Sequence, residues 1–225
     1  LRFIVLLSGG LDSVVNFKCA ADRGTIERAV TFDYGQAASD NEKRAAAECA
    51  ARFGVRHEVL DLTWYGGLLP GAISGTREAL ARGPDRLDRR EEMLREAWVP
   101  NRNGVFVNIG AALAEASGAD AVVVGLNREE AEVFPDNSEA FMKSATAALK
   151  ISTLCEVEVV SFTVGLSKRE IVRLGIDSGA PLGLVYSCYR RSSDQRMCGS
   201  CQSCVRLKAA LEGQGEDRLR KRFVR

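Results

Sequence analysis

Two clusters of residues in this 225-residue chain have the types and spacing to do chemistry. The first is Ser8-Gly9-Gly10-Leu11-Asp12-Ser13, which follows the apolar run ending at Leu7 and opens an amphipathic stretch. Paired glycines let backbone N–H groups converge with no Cβ in the way. The Ser8 and Ser13 hydroxyls add donors, and the head of a helix adds partial positive charge. The string therefore predicts an anion cradle; a plain Gly-Gly turn capped by Asp12 or Ser13 is the simpler alternative. It is neither GxxxxGK[ST] nor GxGxxG. The second cluster is Cys188, Cys198, Cys201 and Cys204, crowded near the C-terminal end. Four thiolates suit tetrahedral Zn²⁺ with no open position, a structural site; an iron–sulfur cluster is the alternative. Such a zinc site carries a formal charge of about −2, and Arg190, Arg191, Arg196 and Arg206 lie close enough in sequence to offset it.

These clusters need elements to position them. Phe3–Leu7, Ala29–Phe32, Glu58–Leu62, Ala121–Val124 and Val157–Phe162 read as strands, several almost continuously apolar. Asp12–Arg23, Ala38–Phe53, Asn103–Ser117, Ser138–Leu149 and Ser167–Ser178 read as helices between them, with Gly54, Gly118 and Gly179 where C-terminal caps belong. Such alternation predicts an α/β fold, a Rossmann-like parallel sheet with helices on both faces, and ligands beyond the C-terminal strand ends. Residues 64–100, rich in glycine and then charge, read as a long insertion, part helix and part mobile cover. A short helix and a basic, partly frayed end follow the cysteine cluster.

Composition sets wide limits. Hydrophobic residues make up 46% and charged ones 27%, with a net charge of +1, which excludes disordered and collagen-like chains and gives no reason to expect a nucleic-acid or membrane-surface footprint. No apolar run approaches the ~20 residues that span a bilayer. The first apolar run is too short for a signal peptide, the missing initiator Met suggests a processed or trimmed chain, and a cytoplasmic location is the default expectation. Seven cysteines, an odd number and clustered, do not resemble a secreted disulfide framework. Cys19, Cys49 and Cys155 are expected in the core, and His57 at the surface or satisfied within the fold.

Ser8–Ser13 resembles the SGGxDS signature of the PP-loop ATP pyrophosphatases. That resemblance implies ATP cleavage between the α- and β-phosphates, pyrophosphate held by Leu7–Ser13, and Mg²⁺ bridging the phosphates with help from Asp12. Further landmarks stand in order: Asp33-Tyr34-Gly35-Gln36, Val99-Pro100-Asn101-Arg102-Asn103, Gly125-Leu126-Asn127, Phe134-Pro135-Asp136-Asn137, Lys168–Val172, and Ser187-Cys188-Tyr189 leading into the remaining cysteines. Together they resemble the QueC family of 7-cyano-7-deazaguanine synthases over nearly the whole chain. The resemblance implies an ATP-binding domain over 1–185 and a zinc-binding segment over 186–225. It also implies an ATP-dependent ligase acting on 7-carboxy-7-deazaguanine and ammonia through adenylated acid and amide, a homodimer, and no stable nucleic-acid partner.

On this reading Ser8, Asp12 and Lys168 serve catalysis. Tyr34 and Gln36 lie near the adenosine or serve packing, and Arg102 reaches phosphate. Lys168 reaches phosphate or lies at the surface. Asn103, Asn127, Glu130, Phe134 and Asp136 are candidates for the substrate, where a carboxylate could accept from the N1–H and 2-amino edge of a deazaguanine; Asn103 is alternatively a helix N-cap, and Glu130 part of a solvated acidic loop. The chain has Glu130 and Phe134-Pro135-Asp136-Asn137-Ser138 where many family members carry Asp and Tyr-Pro-Asp-Cys-Arg, so another purine-like carboxylate is the alternative substrate; another PP-loop ATP pyrophosphatase acting on tRNA is the separate rival. No catalytic Cys/His pair and no room for a glutaminase domain are seen, so ammonia is expected to be taken free.

Overall fold

The computed structural model describes residues 1–69 and 98–224. The element order is β1 (Arg2–Leu6), α1 (Leu11–Ala21), β2 (Thr25–Asp33), α2 (Ser39–Arg52), β3 (His57–Asp61), α3 (Thr63–Leu68), α4 (Arg102–Ser117), β4 (Ala121–Val123), α5 (Arg128–Ala131), α6 (Glu139–Ser152), β5 (Glu158–Val160), α7 (Lys168–Ser178), α8 (Gln202–Leu211) and α9 (Asp217–Arg220). The strands pair in parallel in the order β3-β2-β1-β4-β5. The chain starts in the middle of the sheet, builds outward to β3, then crosses to the other side of β1. The strand order reverses between β1 and β4, which opens a crevice above their C-terminal ends.

Alternation along β1 shows why both faces are covered. Phe3, Val5 and Leu7 pack with α1, α2 and α7, whereas Ile4 packs on the opposite face with Val30, Val107 and Val122. Each of these side chains is essentially removed from water, which contributes about 2 kcal/mol apiece and selects this strand for the centre of the sheet. The first hydrophobic cluster runs on without a break through Tyr186, Cys188, Met197, Cys201 and Leu207, so the cysteine segment shares a core with the sheet.

Several expectations shift. β2 starts four residues earlier than its apolar run, at Thr25, because Glu27 and Arg28 join ion pairs with Arg2 and Glu58 and are tolerated in the ladder. β5 stops at Val160, since Phe162 N turns away to donate to buried Asn16 Oδ1 at 2.7 Å. Asn103 is not the cap of α4: Asn101 takes that place with left-handed backbone (φ 55°). Ser167 and Glu170 form a reciprocal capping box at α7. Cys19 and Cys49 are buried, but Cys155 is exposed, in the turn before β5. The basic end is held rather than frayed: Met197 N donates to Arg222 O at 2.7 Å and Val224 N to Met197 O at 2.9 Å. Of the insertion expected over 64–100, the part from 70 to 97 lies outside the described residues. Among the described residues no helix is long and apolar enough to cross a membrane.

His57 is satisfied within the fold. Thr31 donates its hydroxyl proton to Leu7 O at 2.5 Å, leaving its oxygen to accept from His57 Nε2 at 2.8 Å. Burial lowers the imidazole pKa below the ordinary 6.5. The unfolded chain therefore takes up a proton first on acidification, and stability is lost as pH falls below about 6.5. His57 is the chain's single histidine. Thermal melts should show a decline over that window which His57→Gln flattens; an identical decline in the variant would refute the assignment.

Candidate active site

The phosphate-loop string lies between β1 and α1, at the sheet's switch point. Gly9 has φ 78°, and a Cβ there would come within 2.8 Å of Ala45 Cβ and 2.9 Å of Glu42 O, so α2 packs directly on the loop. Gly125, just past β4, is required for a second reason: a Cβ there would stand 2.8 Å from Ser13 N, on top of a cradle amide. The amides of Gly9, Asp12 and Ser13 have no acceptor among the described residues. They meet the predicted requirement of converging, unspent N–H groups at a helix head.

Asp12 begins a compact charged cluster. The Lys168 ammonium lies 2.5 Å from Asp12 Oδ2 and 3.0 Å from Glu130 Oε1. Asn127, wholly buried, donates from Nδ2 to Asp12 Oδ2 at 3.0 Å and accepts Glu130 N at 2.9 Å, capping α5. Burial pushes the Asp12 carboxyl above its usual range, against the pull of Lys168. Burial also acts on Glu130, but Lys168 and Asn127 outweigh it and hold this carboxyl below its usual range. The two carboxylates raise the Lys168 pKa although burial opposes its charge. Asp12 Oδ1 is buried with no hydrogen-bond partner. An unsatisfied carboxylate oxygen beside a phosphate cradle is a ligand position for a hard divalent cation, so the residues fit Mg²⁺.

Above this floor is a cavity of about 290 Å³. Leu7, Ser8, Gly10, Leu11, Asp12 and Ser13 line one side, and Tyr34, Gln36 and Arg102 another. Gln36 folds back, accepting Tyr34 N at 3.0 Å and donating to Glu42 Oε2 at 2.9 Å. Burial opposes the Arg102 charge, yet Tyr34, Asp136 and Glu130 raise its pKa, making it a fixed cation on the wall. Of the candidates assigned to substrate, Asn103 and Glu130 reach the cavity; Asn127, Phe134 and Asp136 are not on its wall. Phe134 stacks on Trp98 with ring centroids 6.2 Å apart. The Asp136 carbonyl accepts Asn103 Nδ2 at 3.1 Å, and its carboxylate accepts Asn137 Nδ2 at 3.0 Å. Asn137 is the residue of that stretch which faces the cavity. Glu42, Phe106, Phe141 and Ser203 also line it, and no spacing in the sequence singles them out; Ser187 and Tyr189, which line it too, belong to the landmark around Cys188, but the sequence assigns them no role in the site.

The four cysteine sulfurs all lie within 4.8 Å of one another, with Cys188–Cys201 at 3.9 Å and Cys198–Cys204 at 3.8 Å. Tetrahedral thiolates around one zinc stand about 3.8 Å apart, so the donor set fits a single ion; thiolates on separate irons of a cluster would need wider spacing. Hydrogen bonds from the other cysteines bring the Cys201 thiol down to about 3 and push Cys204 up. Amides of Cys198, Ser200 and Cys201 point at the sulfurs. Compensation by arginines is more limited than the spacing implies: Arg191 is 2.9 Å from Asp40, Arg196 is 3.8 Å from Asp194, and Arg206 helps to lower Glu130.

Residues 2–215 match the model of the family described as queuosine biosynthesis protein QueC. The chain belongs to the QueC family. It is 48% identical over 219 residues to the 7-cyano-7-deazaguanine synthase of Pelotomaculum thermopropionicum, covering 96% of this chain and 98% of that one. It is 44% identical over 220 residues to the synthase of the same name from Methanothermobacter thermautotrophicus, covering 96% and 97%. Among solved structures, the NMN synthetase from Francisella tularensis is similar at a TM-score of 0.49 and 14% identity, over 96% of this chain and 86% of that one, too loose a likeness to add to the sheet order. The family match spans both the phosphate loop and the four cysteines.

The Asp12–Lys168–Glu130 cluster makes a stability prediction. Lys168→Met leaves two carboxylates facing each other in a largely buried place, and should cost about 3 kcal/mol in urea unfolding. Adding Glu130→Gln should recover much of that loss. Additive losses in the double variant would show that the ammonium does not bridge the pair.

Proposed function

We propose that the chain converts 7-carboxy-7-deazaguanine, ATP and ammonia to 7-cyano-7-deazaguanine, as a ligase forming a C–N bond. The observation that carries this is the family match running through a cradle of unspent amides beside the buried, unpartnered Asp12 Oδ1. In the proposed sequence the substrate carboxylate attacks the α-phosphate, and pyrophosphate leaves into the loop formed by Leu7–Ser13. Ammonia displaces AMP from the acyl adenylate to give the amide. A second ATP activates the amide oxygen, and loss of AMP and a proton leaves the nitrile. The alternative of another purine-like acid, or of tRNA, is not favoured by relatives that share one name at 36–48% identity.

The residues of this chain supply positioning and charge. The amides of Gly9, Asp12 and Ser13 receive charge developing on the leaving pyrophosphate. Arg102 faces the phosphates from the opposite wall, and Tyr34 and Gln36 flank the adenosine. Lys168 holds the Asp12 and Glu130 carboxylates in place and presents its own charge to the reacting phosphate. Asn103 and Asn137 face the base, Asn127 fixes Asp12 and Glu130 from behind, and Phe134 and Asp136 support that wall. Asp12 would hold Mg²⁺, which would supply positive charge to neutralise the phosphates. Zn²⁺ on Cys188, Cys198, Cys201 and Cys204 would be structural, since all four positions are filled by sulfur. Cytoplasmic location and a homodimer belong to the same reading, the latter checked by mass in solution.

Mass spectrometry of protein, ATP, Mg²⁺, ammonium and 7-carboxy-7-deazaguanine should show the nitrile with AMP and pyrophosphate. ADP and phosphate in their place would reject adenylation, and the absence of nitrile would reject the substrate. Glutamine in place of ammonium should give no product. Elemental analysis should return one zinc per chain and no iron, and removal by a chelator should lower the melting temperature, because the cysteines lie in the main core.

A further inference from the structure

Ser187 stands where the two clusters meet. The residue before it, Tyr186, donates its amide to Gly9 O at 2.9 Å, and the residue after it is Cys188 of the four-cysteine cluster. Ser187 N donates to Met197 Sδ at 3.3 Å, and its Oγ accepts Leu11 N at 3.1 Å. The segment leading into the cysteine cluster thus grips the phosphate loop on both sides of Gly10.

Proton accounting separates Ser187 from the serines of the loop itself. Ser13 donates its hydroxyl proton to Gly10 O at 3.0 Å, so Ser8, 3.1 Å from Ser13 Oγ, donates to Ser13. Ser8 Oγ in turn accepts Gly10 N at 3.4 Å. Both protons are therefore spent within the loop. The Ser187 oxygen accepts from Leu11, while its own proton has no acceptor among the described residues, and the side chain lines the cavity beside Gly10, Leu11 and Ser13. A hydroxyl that accepts from an amide is polarised to donate in turn.

We propose that Ser187 is a phosphate-binding residue, donating its hydroxyl proton to the pyrophosphate part of ATP while holding the Leu11 amide. The cysteine cluster is then the anchor that carries this donor to the loop. This rests on the ATP chemistry proposed above, but it concerns binding and needs no turnover.

The test is calorimetric binding of ATP, pyrophosphate and adenosine to the full chain and to Ser187→Ala and Ser187→Thr, with metal content and melting temperature recorded. Ser187→Ala should weaken ATP and pyrophosphate about tenfold or more, as expected for a lost hydrogen bond to a charged group, with adenosine and metal content unchanged and melting lowered only by the few degrees (~2–4 °C) that loss of the Leu11 hydrogen bond accounts for. Ser187→Thr should restore most of the affinity. Unchanged pyrophosphate binding in Ser187→Ala would overturn the proposal, as would a parallel loss of adenosine binding or no pyrophosphate binding by the unsubstituted chain. Pyrophosphate binding that depends on Ser187 in a chain that makes no nitrile would refute the proposed reaction and leave this inference standing.

Discussion

Backbone amides converging at the head of a helix cannot satisfy one another, and keeping them unspent demands support from every side. The loop from Ser8 to Ser13 has that support. α2 packs so tightly on Gly9 that no Cβ fits, Gly125 passes close to the Ser13 amide, and Tyr186 and Ser187 hold Gly9 and Leu11. The parallel sheet makes these contacts possible, since it brings the ends of β1, β2 and β4 to one edge where the strand order reverses. An open cradle is thus a property of the whole first core, cysteine segment included.

The second constraint is charge. A lysine between two half-buried carboxylates balances only if each group stays in register, and Asn127 enforces this by bonding Asp12 with one end of its amide and capping α5 with the other. That arrangement leaves Asp12 Oδ1 facing inward without a partner. Desolvation of such an oxygen is costly unless a ligand completes it, so the fold's electrostatics leave a position suited to a cation.

The stretch around Asp136 shows how neighbouring residues of one short segment divide between support and cavity. Phe134 is occupied by Trp98, Asp136 by Asn103 and Asn137, and the group presented to the cavity is Asn137. The residues there form an internally bonded wall beside the cavity.

Features carried by contiguous residues were legible in the sequence. The apolar runs specified the parallel strands, the Ser-Gly-Gly string the anion cradle, and the Cys spacing a four-sulfur site, because each depends on local backbone geometry or on ligands a few residues apart. Tertiary structure decided what depends on distance in space. It put Lys168 on Asp12 across 156 residues and Ser187 on Leu11 across 176. It turned Asn127 and Asp136 into supports, moved Asn137 to the cavity, and left Cys155 outside the core. Those outcomes follow from which strand ends the crossovers bring together and which hydrogen-bond partners compete there, and no local pattern encodes either one.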